Sequence, residues 1–152
     1  MIRSQWILPA CLAAAGILVY LALSRGPDPQ TPGGIVPNCD IHHGPCTQPL
    51  AGGTATLEIL PRPVRAMTDL IFRLTLVPPP EPDQAEAGLP FIDLDMPAMF
   101  MGYNRVHMVR ESPGRYSGSG VIVRCPTGIP TWEARIAVPG RGEASFVFDV
   151  RY

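Results

Sequence analysis

Two stretches of this 152-residue chain hold residue types that could do chemistry. The first reads Cys39-Asp40-Ile41-His42-His43-Gly44-Pro45-Cys46, two cysteines placed symmetrically about a histidine pair. Thiolate and imidazole are ligands that zinc and copper take. The same two cysteines can instead close a small loop as a disulfide, which is the expected state in an oxidising compartment. The spacing is not that of a zinc finger, and a c-type haem would need C-x-x-C-H. The second stretch runs from Asp95 to Met108 and holds Met96, Met99, Met101 and Met108, four of the six methionines in the chain. Thioethers are soft ligands that favour Cu(I). In an extended segment Met99 and Met101 point to the same side, and His107 adds an imidazole a few residues on. The competing reading is that these methionines fill an irregular core or an edge contact, a role their flexible side chains suit. Pro97 and Gly102 interrupt the segment, and Asp95, Asn104 and Arg105 are polar, so a loop-like rim is expected. Cys125 is the odd cysteine, read either as a buried free thiol or as a further soft ligand.

The elements that must position these residues are short strands. Ala55, Leu57 and Ile59 alternate with polar residues, as do Leu70, Phe72, Leu74 and Leu76. Further runs cover Phe91–Asp95, Asn104–Arg110, Tyr116–Arg124, Trp132–Val138 and Phe146–Val150. Period-two alternation over five to eight residues marks strands with one buried face. Proline and glycine clusters separate them: Pro61-Arg62-Pro63, Pro78 to Pro82, Ser112-Pro113-Gly114 and Pro139 to Gly142. Of the 19 prolines 18 follow Gly26, which argues against a helical bundle. The expectation is an all-β domain over 39–152, an immunoglobulin-like β-sandwich of about seven strands. A closed barrel is the other architecture the pattern allows.

Eighteen of the first 25 residues are apolar, and Trp6–Leu23 carries no charge. At ~1.5 Å per residue this run spans roughly 27 Å, enough for a thin hydrocarbon core. Residues 1–25 are therefore read as a transmembrane anchor, with a cleaved signal peptide as the competing reading. Either one exports the rest of the chain, and the short N-terminal tail favours the cytoplasmic side. Residues 26–38, with four prolines and three glycines, read as a linker. From Gly26 onward there are 10 arginines, no lysine and 13 acidic residues. That balance argues against a nucleic-acid binder, which needs a basic face.

The order of an N-terminal anchor, a Met-rich run Met99-Phe100-Met101-Gly102-Tyr103-Asn104-Arg105, the sequence Gly114-Arg115-Tyr116-Ser117-Gly118, then Cys125 and Trp132, resembles the FixH and YtkA-like families of bacterial inner-membrane proteins. The resemblance covers about Cys39 to Tyr152. It implies a single-pass inner-membrane protein with its C-terminal domain in the periplasm, handling copper or supporting cytochrome-oxidase assembly. On that reading Met96, Met99 and Met101 hold Cu(I), with His107 or Cys125 completing the site, and the partner is a respiratory or copper-handling membrane protein. The alternative is a metal-free interaction module in which Met99-Phe100-Met101 is an apolar docking surface. No enzyme is expected: the chain has no G-x-S-x-G, H-E-x-x-H or phosphate-loop motif.

Overall fold

The structure is a computed structural model that describes residues 36–81, 88–97 and 99–152. The expected anchor and most of the linker lie outside the described residues. Among the described residues no helix is long and apolar enough to cross a membrane. The chain forms nine strands: β1 (Cys46–Leu50), β2 (Gly53–Leu60), β3 (Leu70–Val77), β4 (Phe91–Asp95), β5 (Arg105–His107), β6 (Val109–Ser112), β7 (Arg115–Gly120), β8 (Thr131–Val138) and β9 (Gly142–Asp149). They make two antiparallel sheets, ordered β1-β2-β3-β7-β6 and β5-β4-β8-β9.

Alternation decides which face each strand buries. Ala55, Leu57 and Ile59 on β2 meet Leu70, Phe72, Leu74 and Leu76 on β3, all almost fully buried. From the second sheet Ile92, Leu94, Trp132, Ala134, Ile136, Phe146 and Phe148 close the same core. The outward positions of β8, Glu133 and Arg135, are polar, as the period of two requires.

Two strands exceed the sequence expectation of about seven. β1 was not anticipated, because Cys46-Thr47-Gln48-Pro49-Leu50 lacks apolar alternation. It is an edge strand, where proline is tolerated. The run expected as one strand over 104–110 is split: β5 pairs with β4 in one sheet and β6 with β7 in the other. The chain changes sheets at Met108, which is buried. Glycines on β7 make room for that crossing. A Cβ on Gly118 would lie 2.5 Å from the His107 carbonyl, and one on Gly120 would lie 2.7 Å from Val106. The strand expected over 116–124 ends at Gly120. Val121 to Arg124 is irregular; Ile122 accepts a hydrogen bond from the Met67 amide instead.

The entry of the chain is fastened in two ways. Asn38 and Cys39 both donate backbone N–H groups to the Val147 carbonyl on β9, at 2.9 and 3.1 Å. The Asn38 side chain accepts from Val147 N–H at 2.8 Å and donates to the Ser145 carbonyl at 3.1 Å. Asn38, the last residue of the expected linker, thus covers edge groups of β9 with its backbone and its side chain. Cys39 is then bonded to Cys46 at the start of β1. At the other end of the domain Arg141, only 5% exposed, is held by three carbonyls, those of Ala51, Gly52 and Pro78. It ties the β1–β2 turn and the end of β3 to the β8–β9 hairpin.

A candidate docking cleft at the end of β4

Asp95 organises the methionine-rich segment. It is the last residue of β4, and its Oδ1 accepts two backbone N–H groups, from Met96 at 2.8 Å and Met101 at 3.0 Å. The Met99 N–H donates to the Met96 carbonyl, and the two residues form an isolated antiparallel bridge. Met96 and Met99–Met101 are therefore drawn together round one carboxylate. Gly102 follows at φ 86°, a left-handed conformation that costs glycine little. Asn104 pins the far end: its carbonyl accepts from Leu94 N–H at 2.8 Å and its side chain donates to the Val121 carbonyl at 3.0 Å.

The turn sorts its side chains to two sides. Met96 is buried and Met101 packs against the core. Met99 is 37% exposed, Phe100 69% and Tyr103 96%. The Phe100 and Tyr103 rings meet edge to face, centroids 5.8 Å apart. Such an aromatic pair is a favoured geometry. Beside this loop lies a cavity of about 120 Å³, lined by Asp93 and Asp95 on β4, Glu133 and Arg135 on β8, and the loop residues Phe100 and Tyr103. Asp95 and Glu133 are directly opposite in the β4–β8 register. Glu133 accepts from Ser145 Oγ at 2.6 Å and from Arg135 at 3.2 Å. One step along the sheet, Arg105 makes a two-pronged bond to Asp93 at 2.7 and 2.9 Å while lying 3.9 Å over the Phe91 ring. The bond to Asp93 raises the pKa of Arg105 further, against a small opposing effect of burial.

The residues singled out as ligands fall into three places. Met96, Met99 and Met101 share the turn just described. His107 is exposed on β5 opposite Phe91, at the far end of β4 from Met96, roughly 15 Å along the strand. Cys125 is free and buried in a separate turn, its sulfur 3.0 Å from Thr127 Oγ1. That hydrogen bond holds the thiol pKa below its ordinary value; burial opposes it, and the N–H groups of Thr127, Ile129 and Gly128 assist. The Cys39–Cys46 disulfide is formed, so neither sulfur is a thiolate ligand. The two histidines between them are engaged as well. His42 Nδ1 accepts from Val64 N–H at 3.1 Å, and His43 Nδ1 lies 2.7 Å from Asp40 Oδ2. Among the described residues no group of three or more His, Cys, Asp or Glu is placed to hold a metal ion.

A larger hollow, about 380 Å³, lies beside the entry segment between Pro37 and His42, with Asp149 on its wall. It gathers no comparable set of chemistry, since the ring nitrogen His42 directs at the backbone is already used. Of the residues lining the cleft, sequence reasoning singled out Phe100, beside Met99 and Met101 that do not line it, but not the partnership of Asp95 with Glu133. The signal for that was a strand pairing, which no local pattern reports. Comparison with protein-family models, curated proteins and solved structures gives no match.

Proposed function

We propose that this chain is a membrane-anchored, exported interaction module without enzymatic activity, and that the loop 99–103 is its docking surface for a protein of an inner-membrane complex. The observation that carries the reading is the exposure of Phe100 and Tyr103 on a loop fastened at both ends. Large apolar side chains held rigidly in water are costly for a monomer and useful at an interface. The apolar run Trp6–Leu23 supports the anchor, and the Cys39–Cys46 disulfide fits an oxidising compartment such as the periplasm. The strand order supports an immunoglobulin-like sandwich. The order β2-β3-β7-β6 facing β4-β8-β9 corresponds to A-B-E-D facing C-F-G, with β1 and β5 added at the edges. The family's inter-sheet disulfide has no counterpart among the described residues, since Cys39–Cys46 is local.

The test is co-purification of the full chain from membranes in the presence of a copper chelator. A partner retained by the wild type and lost from a Phe100→Ser/Tyr103→Ser double variant is the expected result. A partner retained equally by the double variant sinks the reading.

A copper-binding accessory role is the second reading, and the observation favouring it is that Met96, Met99 and Met101 share one turn. Met96 is 3% exposed and Met101 packs on the core, so the turn would have to open before three sulfurs reached one ion. Cu(I) titration of the wild type against a Met99→Ala/Met101→Ala variant decides it; equal binding by the two ends the copper reading.

A further inference from the structure

We infer that the end of the sandwich formed by the loops after β2 and β7 is a docking surface for a phospholipid bilayer, with arginines for the phosphate groups and apolar tips for the interface. This rests on the membrane-anchored reading above and goes beyond it, since it names the face of the domain that meets the lipid. Three segments lie together at that end: 61–69, 121–130 and 150–152. Hydrogen bonds fasten them to one another. Ala66 N–H donates to the Arg151 carbonyl and Arg151 N–H to the Val64 carbonyl, at 2.9 and 3.0 Å. Met67 N–H donates to the Ile122 carbonyl at 2.8 Å, and Val150 N–H to the Pro130 carbonyl at 2.9 Å. The Tyr152 hydroxyl donates to the Ile129 carbonyl.

Two kinds of side chain stand out from this end. Arg65 and Arg151 are neighbours in a parallel bridge, which puts both side chains on one face, and both are exposed. Arg124 lies over the Tyr152 ring at 5.4 Å. None of these three arginines is in an ion pair among the described residues. Asp69 is the one acidic side chain on the three segments, and the neighbouring Asp149 accepts from the Thr131 hydroxyl at 2.7 Å. On the same segments Met67 is 67% exposed, and Val123, Ile129 and Tyr152 are exposed as well. Met67 is held at φ 60°, a left-handed conformation uncommon for any residue but glycine. Exposed arginines set beside apolar tips match the zone of a bilayer where phosphates meet acyl chains. A guanidinium takes phosphate oxygens two at a time. Net charge does not drive this contact, since 10 arginines face 13 acidic residues from Gly26 onward. Distribution does: the connection from β3 to β4, at the other end of the strands, carries Glu81, Asp83 and Glu86 and no basic residue. From Gly26 to Asn38 the chain extends at most about 40 Å, roughly the width of such a domain, so surface chemistry selects the face that turns to the lipid. The loop 99–103 stands beside this end through the Asn104 side chain, which donates to the Val121 carbonyl, so a protein docked there would itself lie at the membrane.

The experiment reads lipid contact in the full chain, reconstituted in nanodiscs of phosphatidylcholine with brominated acyl chains, with and without phosphatidylglycerol. In a Cys11→Ser background a fluorophore is attached through Met67→Cys or, at the other end of the domain, through Glu81→Cys. Cys125 is buried and stays unlabelled. The label at position 67 is expected to be quenched at least about twofold more than the label at position 81, more so with phosphatidylglycerol and less at high salt. Arg65→Gln/Arg151→Gln should remove most of that difference, and both side chains are exposed, so the fold survives their loss. Equal quenching at the two positions overturns the inference, and so does a difference untouched by the double variant. A label at position 67 that no lipid quenches, but that an added partner protein shields, assigns the arginines to an acidic protein surface and also overturns it. Gel filtration of the discs in high salt reports the anchor separately. A chain that stays with the discs unquenched keeps its anchor and loses only this contact. A chain that leaves the discs removes the membrane reading itself.

Discussion

Arg141 illustrates how much one side chain can hold. Its guanidinium is buried, no carboxylate among the described residues forms an ion pair with it, and three carbonyls from two separate turns accept its hydrogen bonds. Hydrogen bonds to a charged group are worth more than neutral ones, and the buried guanidinium makes three of them. Arg141→Ala should therefore destabilise the domain by about 3 kcal/mol, read from urea unfolding. Arg141→Lys should recover only part of it, because an ammonium cannot span three carbonyls in the same plane. Gly53 is the neighbouring constraint: a Cβ there would sit 2.0 Å from the Val77 carbonyl and 2.6 Å from Arg141. A second residue-scale expectation concerns pH. The His43 hydrogen bond holds the Asp40 carboxyl below its ordinary range, with the charge of His43 and the His42 N–H adding to it against a little desolvation. A depressed acid favours the folded state above its unfolded value, and that contribution disappears as pH falls through the folded value. An NMR titration of Asp40 should give a midpoint below that of an ordinary aspartate, and His43→Ala should move it back up. No motif announced either arrangement. Arg141 sits in Pro139-Gly140-Arg141-Gly142, which reads only as a turn, because its three partners lie 63 or more residues away.

At the scale of elements, periodicity was a good guide where a strand has one wet and one dry face. β2, β3, β4 and β8 lie where the alternation puts them, whereas β9 begins at Gly142, four residues before the expected Phe146–Val150 run. It failed where burial does not alternate. β1 is mostly uncovered and paired on one side only, so its sequence is free of the pattern. Asn104 to Arg110 alternates well enough to look like one strand, yet the residues on either side of the buried Met108 pair with different sheets. Asn38 belongs to this scale because it covers a sheet edge from inside an apparent linker. Its side chain satisfies two edge groups of β9 that the backbone alone would leave to water. Asn38→Ala should cost about 1 kcal/mol and, more diagnostically, speed amide hydrogen exchange at Val147 over that at the β8-paired positions of β9. Unchanged protection at Val147 would show that the edge is covered some other way.

For the whole molecule the opposing forces nearly balance, as in any small domain, so a single covalent link matters. The Cys39–Cys46 bridge closes a short loop, at a sequence separation of 7. Constraint of the unfolded chain by a loop that size is worth about 2 kcal/mol. Reduction, or a Cys39→Ser/Cys46→Ser variant, should lower stability by roughly that amount without abolishing the fold, since the rest of the core is continuous. A Tm unaffected by reductant would contradict this. The pairing of Cys39 with Cys46 was one of two readings open to the sequence, and the all-β class was legible from alternation and proline alone. The cleft was not, because it is made by residues from β4, β8 and the 99–103 loop that only the sheet register brings together. The entry of the chain has one more property, a mechanical one. A pull on the chain ahead of Asn38 meets the hydrogen bonds to Val147 and Ser145 first. Once these part, the load reaches Cys39 and crosses the sulfur bridge straight to Cys46 on β1. The six residues 40–45 are shunted out of the path and slacken no further. Tension is handed to the β1–β2 ladder, whose paired hydrogen bonds run from Cys46 to Leu50. The bridge thus acts as a short-circuit for force, keeping the histidine loop unstretched while the sheet takes the strain.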